Sequence, residues 1–94
     1  MSAARHRPEQ HRFEAVLEGG RGEVVYRLDG EVMTIVHTEV DAALEGQGVA
    51  GQLVQAALDH ARDHGLTVHP ACSYARSYME RHPQTAALRA SPPR

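Results

Sequence analysis

The chain has 94 residues, with ten basic residues, all of them arginine, against twelve acidic residues, and a formal net charge of -2. This length suits one domain with a modest core, and the charge balance provides no basic field that would attract nucleic acid or an anionic membrane. The single cysteine, Cys72, cannot form an internal disulfide, and no apolar run has the length of a signal peptide or a membrane span. We therefore expect a cytoplasmic domain, a monomer or weak dimer, without a nucleic-acid or membrane partner.

The first half of the chain predicts an antiparallel sheet. Residues 1–11 are polar and rich in arginine and histidine, and they are predicted to form a disordered leader. Short strands are predicted over residues 13–17 and 24–28, where apolar and polar side chains alternate. Asp29-Gly30 predicts a two-residue type I′ turn, which pairs the second strand with a third over Val32–Val40. These strands make a three-stranded meander.

The second half predicts a helix, a returning strand and a shorter helix. Apolar residues recur at helical spacing over residues 49–64, and Gly65 suits a left-handed helix cap. A short strand over residues 66–69 stops at Pro70, and a right-handed crossover would make it parallel to an earlier strand. A second helix is predicted over residues 73–82, followed by a flexible tail over residues 84–94. The fold class is therefore α/β.

A glycine-rich turn precedes the longer helix, with Gly46, Gly48 and Gly51 spaced as in GxGxxG. Helix starts carry unpaired N–H groups and a positive dipole end, and glycines let a phosphate approach them closely. Two other interpretations stay open. One is the dinucleotide fingerprint, although its early βαβ unit and acidic residue after the second strand are missing. The other is a tight turn that only permits close packing.

The glycine turn also carries a family resemblance. Glu45-Gly46-Gln47-Gly48-Val49-Ala50 resembles the Gln/Arg-x-x-Gly-x-Gly/Ala acetyl-CoA motif of the GNAT superfamily of N-acetyltransferases. The segments His37-Thr38-Glu39-Val40, Pro70-x-Cys72-Ser73-Tyr74 and Arg81-His82-Pro83 resemble the short, single-domain GNAT-like proteins. Glu45 stands where the superfamily usually has Gln or Arg, and Asp41 where the short family usually has proline.

The resemblance implies a minimal GNAT fold over residues 12–83, in which the third strand and the strand after the helix splay apart. It further implies that acetyl-CoA or coenzyme A binds at the glycine turn and the neighbouring strand ends. The implied contacts are Val40, Gln47, Gly48, Val49, Ala50, Gly51, Gln52 and Cys72. The implied activity is acetyl-CoA-dependent N-acetylation of an amine on a protein, peptide or small molecule. The alternatives are a coenzyme A-binding module without turnover and a small interaction domain without a ligand.

Three side chains are candidates for the chemistry of acyl transfer. Cys72 precedes a predicted helix, where the dipole favours a thiolate, and it is either an acyl acceptor or a small packing residue. The resemblance suggests Tyr78 as the proton donor to the leaving thiolate, and an aromatic core anchor is the alternative. His37, at a strand end, is either a proton acceptor for the amine or a residue bonded to backbone. His60 and His64 have the spacing of a metal pair but lack the other ligands of a zinc site, so no metal site is expected.

Overall fold

The computed structural model describes residues 4–90. These residues form a five-stranded sheet in the order β1-β2-β3-β4-β5, in which the first four strands are antiparallel and β5 is parallel to β4. The strands are β1 Arg5–Arg7, β2 Arg12–Leu17, β3 Gly20–Asp29, β4 Val32–Val40 and β5 Thr67–Pro70. The helices are α1 Val49–Asp63 and α2 Ser73–Arg81, with 3-10 turns at Pro8–Gln10, Ala42–Leu44 and Pro83–Leu88. The α/β prediction is confirmed.

The core lies between one face of the sheet and α1. The apolar stripe of α1, including Leu53, Val54 and Leu58, is fully buried against inward-facing strand residues such as Met33 and Ile35. α2 lies beside α1 and contributes Ala75, Tyr78 and Met79 to the same apolar cluster. No helix among the described residues is long and apolar enough to cross a membrane.

A β-bulge in β4 decides which side chains face the core. Val25 pairs with His37 and Tyr26 with Ile35, so Val36 is the extra residue. Beyond the bulge, Thr38 pairs with Val24, a core residue, and therefore faces the α1 side of the sheet. His37 and Glu39 consequently point to the opposite face.

The hairpin between β3 and β4 is where the sequence placed it, but its turn is one residue further on. Asp29 pairs with Val32, so Gly30 and Glu31 are the two turn residues. Gly30 has φ +60°, whereas Glu31 is not among the described residues with positive φ. This pattern fits type II′, which needs positive φ only at its first central residue, and the type I′ prediction is wrong.

The N-terminal segment is not a disordered leader at residues 5–11. β1 pairs with β2 because His6 stacks on Phe13, with ring centroids 4.2 Å apart, and the Nε of Arg7 donates a 2.8 Å hydrogen bond to Glu14. The predicted meander of three strands is therefore four antiparallel strands. Residues 1–3 of the expected leader lie outside the described residues.

The C-terminal segment likewise departs from the predicted flexible tail at residues 84–90. The buried Thr85 hydroxyl donates to the carbonyl oxygens of His82 and Met79, at 2.7 and 3.3 Å. The Ala90 N–H donates to the Val68 carbonyl at 2.8 Å, which ties the segment to β5. Residues 91–94 of that tail lie outside the described residues.

Candidate functional site

The start of α1 presents backbone N–H groups that have no partner within the described residues. Gly48 is the N-cap and supplies no side-chain cap, and no acidic residue occupies the first turn. The N–H groups of Val49, Ala50 and Gly51 make no hydrogen bond within residues 4–90, whereas Gln52 is the first to donate to the turn before it. Such a helix start favours an anion, because its free donors and its dipole act together.

Two glycines give the turn its shape. Gly46 and Gly48 have φ of +82° and +76°, the left-handed region that residues with a Cβ rarely adopt. A Cβ built on either would meet no atom within 4 Å. The space beside the turn is therefore open, and glycine is needed there for backbone conformation.

β4 loses its neighbour just where it reaches this turn. The parallel pairing with β5 ends at Ile35 and Pro70, whereas β4 continues to Val40. The N–H groups of Ala71 and Cys72 both donate to the Ile35 carbonyl at 3.0 Å, which closes the pairing. Over residues 36–40, the backbone groups that face away from β3 have no strand partner in the described part of the chain. They offer a free row of donors and acceptors.

A cavity of about 430 Å³ joins this free edge to the start of α1. Thr38 and Val40 line it from β4, and Tyr74 lines it from α2. The remaining lining residues follow β4 and enter α1: Leu44, Glu45, Gly46, Gly48, Val49 and Ala50. The cavity therefore combines an anion-binding end with a longer, mainly apolar groove.

Cys72 lies next to this cavity, held between the sheet and α2. Its half-buried Sγ is 3.3 Å from the Thr38 hydroxyl and accepts a 3.4 Å hydrogen bond from the Ala75 N–H, which makes Cys72 the N-cap of α2. A sulfur at a helix N-terminus meets the positive end of the dipole. Thr38 links the sulfur to the cavity wall.

The two tyrosines of α2 have different surroundings. Tyr74 lines the cavity, and no hydrogen bond to its hydroxyl is found among the described residues. Tyr78 instead donates a 2.6 Å hydrogen bond to the Gln55 Oε1 and stacks on His82, with ring centroids 3.9 Å apart. It faces a second cavity, of about 370 Å³, together with Gly51 and Gln52. Burial, more than any charge, raises the pKa of the Tyr78 hydroxyl and keeps it protonated.

His37 does not face the cavity, because the bulge turns it to the other side of β4. Its Nε2 lies 3.2 Å from the Glu39 Oε2, and its side chain is 53% exposed. The predicted alternative of a backbone-bonded histidine is not what the structure shows. Since β4 has no neighbour here, His37 borders the same gap from the open face of the sheet.

The comparisons with known proteins agree with this geometry. The family model of the GCN5-related N-acetyltransferases matches residues 12–88. This chain belongs to that family. Protein NATD1 of Mus musculus is 32% identical over 81 residues, which cover 83% of this chain and 74% of NATD1. Human NATD1 is also 32% identical over 81 residues, covering 83% and 72%. The NMR structure of a GCN5-like protein from Staphylococcus aureus has a TM-score of 0.75 at 26% identity and covers 99% of this chain and 94% of its own.

The residues of this GCN5-related chain fit the cofactor that the family implies. A pyrophosphate needs several N–H donors and room for its oxygens. The α1 start offers three donors without a partner in the described part of the chain, beside two glycines whose Cβ positions have no atom within 4 Å. A pantetheine arm needs an extended groove with amide partners, which the free edge of β4 provides. Glu45 lines the cavity but lies outside the helix turn that carries the donors.

The predicted cofactor contacts of this acetyltransferase-family chain divide into three groups. Val40, Gly48, Val49 and Ala50 line the main cavity. Gly51 and Gln52 line the second cavity, on the outer side of α1. Gln47 is exposed and its amide donates to the Ala43 carbonyl, whereas Cys72 reaches the main cavity through Thr38.

Thr38 and Tyr74 are cavity residues that the sequence analysis did not select. Tyr74 had a signal, since it stands two residues after Cys72 and four before Tyr78, on the face of α2 that turns toward α1. Thr38 had none, because simple alternation from Ile35 would place His37 in the groove instead. The bulge at Val36 exchanges the two faces, so that Thr38 faces the groove and His37 faces away from it.

Proposed function

We propose that this GCN5-related chain is an acetyl-CoA-dependent N-acetyltransferase that acts on an amine acceptor. The free N–H groups at the start of α1, next to the unpaired edge of β4, are the observation that carries the proposal. Gly48, Val49, Ala50 and Gly51 would hold the pyrophosphate, and the groove past Val40 and Thr38 would take the pantetheine arm. When bound, acetyl-CoA supplies an acyl group activated as a thioester.

The surroundings of the groove offer the groups that amide formation needs. The N–H groups of residues 36–40 that face away from β3 have no strand partner among the described residues, and they suit an oxygen that gains negative charge. Tyr74 lines the groove, and its hydroxyl has no hydrogen bond among the described residues, so it is the better placed proton donor for a departing thiolate. Tyr78 is already bonded to Gln55, so we assign it a positioning role beneath Gly51.

The acceptor amine would reach the gap from the open face of the sheet, where His37 lies. There the imidazole is exposed and accessible to an incoming cation, with Glu39 beside it. His37 would accept a proton from the amine directly or through water. An amine on a peptide, a protein or a polyamine suits this unenclosed approach.

A coenzyme A-binding module without turnover is the second candidate, and one observation favours it. The Cys72 sulfur already serves as the cap of α2, which gives it a structural reason to be there without any acyl transfer. In that case the protein would bind the cofactor and form no acetylated product.

Mass spectrometry after incubation with acetyl-CoA and a panel of amines separates these candidates. We expect acetylated amine with the unaltered chain and a large loss in Gly48→Ala, since a Cβ at φ +76° distorts the donors of α1. Gly65→Ala is the matched control, because Gly65 has φ +69° and ends α1 far from the groove. A protein mass raised by one acetyl group and lost in Cys72→Ala assigns an acyl step to the cysteine. Saturable binding without any acetylated product favours the module, and the absence of both binding and product contradicts the proposal.

A further inference from the structure

The open face of the sheet carries a second cluster of chemically capable side chains, which lies outside the groove and shares His37 with the acceptor side of the gap. Glu39 pairs directly with Glu23 across the β3–β4 ladder, and His37 precedes Glu39 by two residues on the same face. The bulge at Val36 brings His37 to this face. Two strands with fixed register therefore place one imidazole and two carboxylates side by side.

The distances suit a single metal ion. One ligand atom from each of Glu23, His37 and Glu39 lies within 4.8 Å of the other two. In a tetrahedral site with bonds of about 2.0–2.1 Å, donor atoms lie about 3.4 Å apart. The His37 Nε2 and the Glu39 Oε2 are already 3.2 Å apart. Small rotamer changes of the exposed His37 and Glu39 would complete the approach to Glu23, which is partly buried and in contact with Arg12.

The electrostatics of the ladder also favour a cation here. Like charges directly opposite on neighbouring strands destabilise a sheet, and Glu23 and Glu39 form such a pair. The Arg12 guanidinium contacts Glu23 at 3.4 Å but belongs mainly to Glu14, at 3.1 Å. Glu39 forms no ion pair with an arginine among the described residues, although Arg21 lines the same small pocket as Glu23 and Glu39. Its hydrogen-bond partner is the His37 imidazole. A divalent ion would offset the repulsion between the two carboxylates.

We propose that Glu23, His37 and Glu39 form a binding site for a divalent first-row transition-metal ion such as Zn²⁺. The imidazole selects such an ion over Mg²⁺, which prefers oxygen ligands and retains its water shell. Three protein ligands leave a further position open to water or another small ligand. The site lies on the face opposite the cavity, and metal binding does not require acetyl transfer. A bound ion would, however, compete with the proposed role of His37 as a proton acceptor.

Zinc titration of the full chain, freed of metal by a chelator, tests the site. Calorimetry should give one Zn²⁺ per chain with micromolar or tighter affinity, and the amide shifts of residues 23, 37 and 39 should move together. Mg²⁺ at the same concentration should leave these shifts in place. The His37→Asn and Glu39→Gln variants should each weaken Zn²⁺ binding by at least about tenfold, since even outer-shell partners of metal ligands are worth about that much.

Matched controls separate this site from other ligands on the surface. Glu31→Gln, in the β3–β4 turn, and His64→Asn, after α1, each remove an exposed group of the same kind and should leave the affinity unchanged. Shifts centred on His60 and His64, no detectable binding, or an equal response to Mg²⁺ would each overturn the proposal. Both test residues are exposed, so an unchanged amide spectrum without zinc will confirm that the variants fold.

Discussion

At the scale of single residues, the two tyrosines of α2 show how position on one helix changes a side chain's capacity. Tyr74 and Tyr78 are one turn apart and both approach Gly51, at 3.6 and 3.5 Å from the place of a Cβ. Tyr78 is buried and its hydroxyl is bonded to Gln55, whereas Tyr74 is half-buried and lines the groove. The Tyr78 side chain is therefore held in place, whereas the Tyr74 side chain is available to a ligand in the groove.

Substituting each tyrosine by phenylalanine should therefore give opposite results. Tyr78→Phe should lower the free energy of unfolding by about 1–2 kcal/mol, because the Gln55 oxygen loses its donor. Tyr74→Phe should leave stability nearly unchanged and reduce acetyl transfer by about 10²-fold, the usual worth of a general acid. Urea unfolding and a product assay measure the two effects. If Tyr78→Phe abolishes transfer while Tyr74→Phe retains it, the sequence-based choice of Tyr78 is correct and our assignment is wrong.

At the scale of elements, the bulge in β4 explains both a success and a failure of sequence reasoning. The glycine turn and the strand and helices around it were predictable, because hydrophobic period and turn residues are local signals. The bulge depends on pairing between β3 and β4, which no local pattern in 32–40 reveals. His37 was therefore selected as the chemically active residue of this strand end, whereas Thr38 was noted only as part of the resembling segment and not as a cavity residue.

The two terminal segments were missed for a related reason. β1 contains arginines on one face and His6 on the other, a composition typical of disorder, and only its partners Phe13 and Glu14 make it a strand. Thr85 closes the C-terminal turn through bonds to carbonyls of α2. The β1–β2 contacts depend on pairing between two strands, and the Thr85 contacts depend on a single hydroxyl. Composition can show neither of them.

Docking of β1 on the end of α1 should make stability depend on pH. His6 contacts Phe13, His60 and the Tyr26 hydroxyl, the last at 2.6 Å, and burial is the main cause that lowers the pKa of both His6 and His60. The negative charges of Glu9 and Asp63 partly offset this lowering, at His6 and His60 respectively. The neighbouring His64 adds to the lowering of both pKa values.

The sign follows from the protons bound by each state. Below about pH 6.5 the unfolded chain protonates these histidines more readily than the native state does, so stability should fall as the pH decreases through that range. A second loss should follow below about pH 4.3, because the Arg7 hydrogen bond lowers the pKa of Glu14 in the native state.

Urea unfolding at pH 7.5 and 5.5 measures the histidine effect. The midpoint should be lower at pH 5.5, and a His60→Gln variant should lose less between the two values than the unaltered chain. His37→Gln is the control, since His37 is exposed on the other face of the sheet. Equal midpoints at both pH values would contradict the assignment of this dependence to the β1–α1 contact.

At the scale of the whole molecule, the two faces of the sheet carry different kinds of side chains. One face carries the apolar core and the groove that ends at the bare start of α1, and the other carries charged side chains that include the proposed metal ligands. The gap beside β4 joins the faces, because β5 leaves β4 at Ile35 while β4 continues to Val40. A cofactor bound from one side and an acceptor arriving from the other would meet there.

Amide chemical-shift mapping with coenzyme A tests the central claim most directly, because it reports on the proposed donors themselves. We expect saturable shifts of Gly48, Val49, Ala50 and Gly51, with smaller changes at Thr38 and Val40, all weakened in Gly48→Ala and retained in Gly65→Ala. If the amides of residues 47–52 do not move at a millimolar excess of coenzyme A, the start of α1 does not bind the pyrophosphate and the account fails.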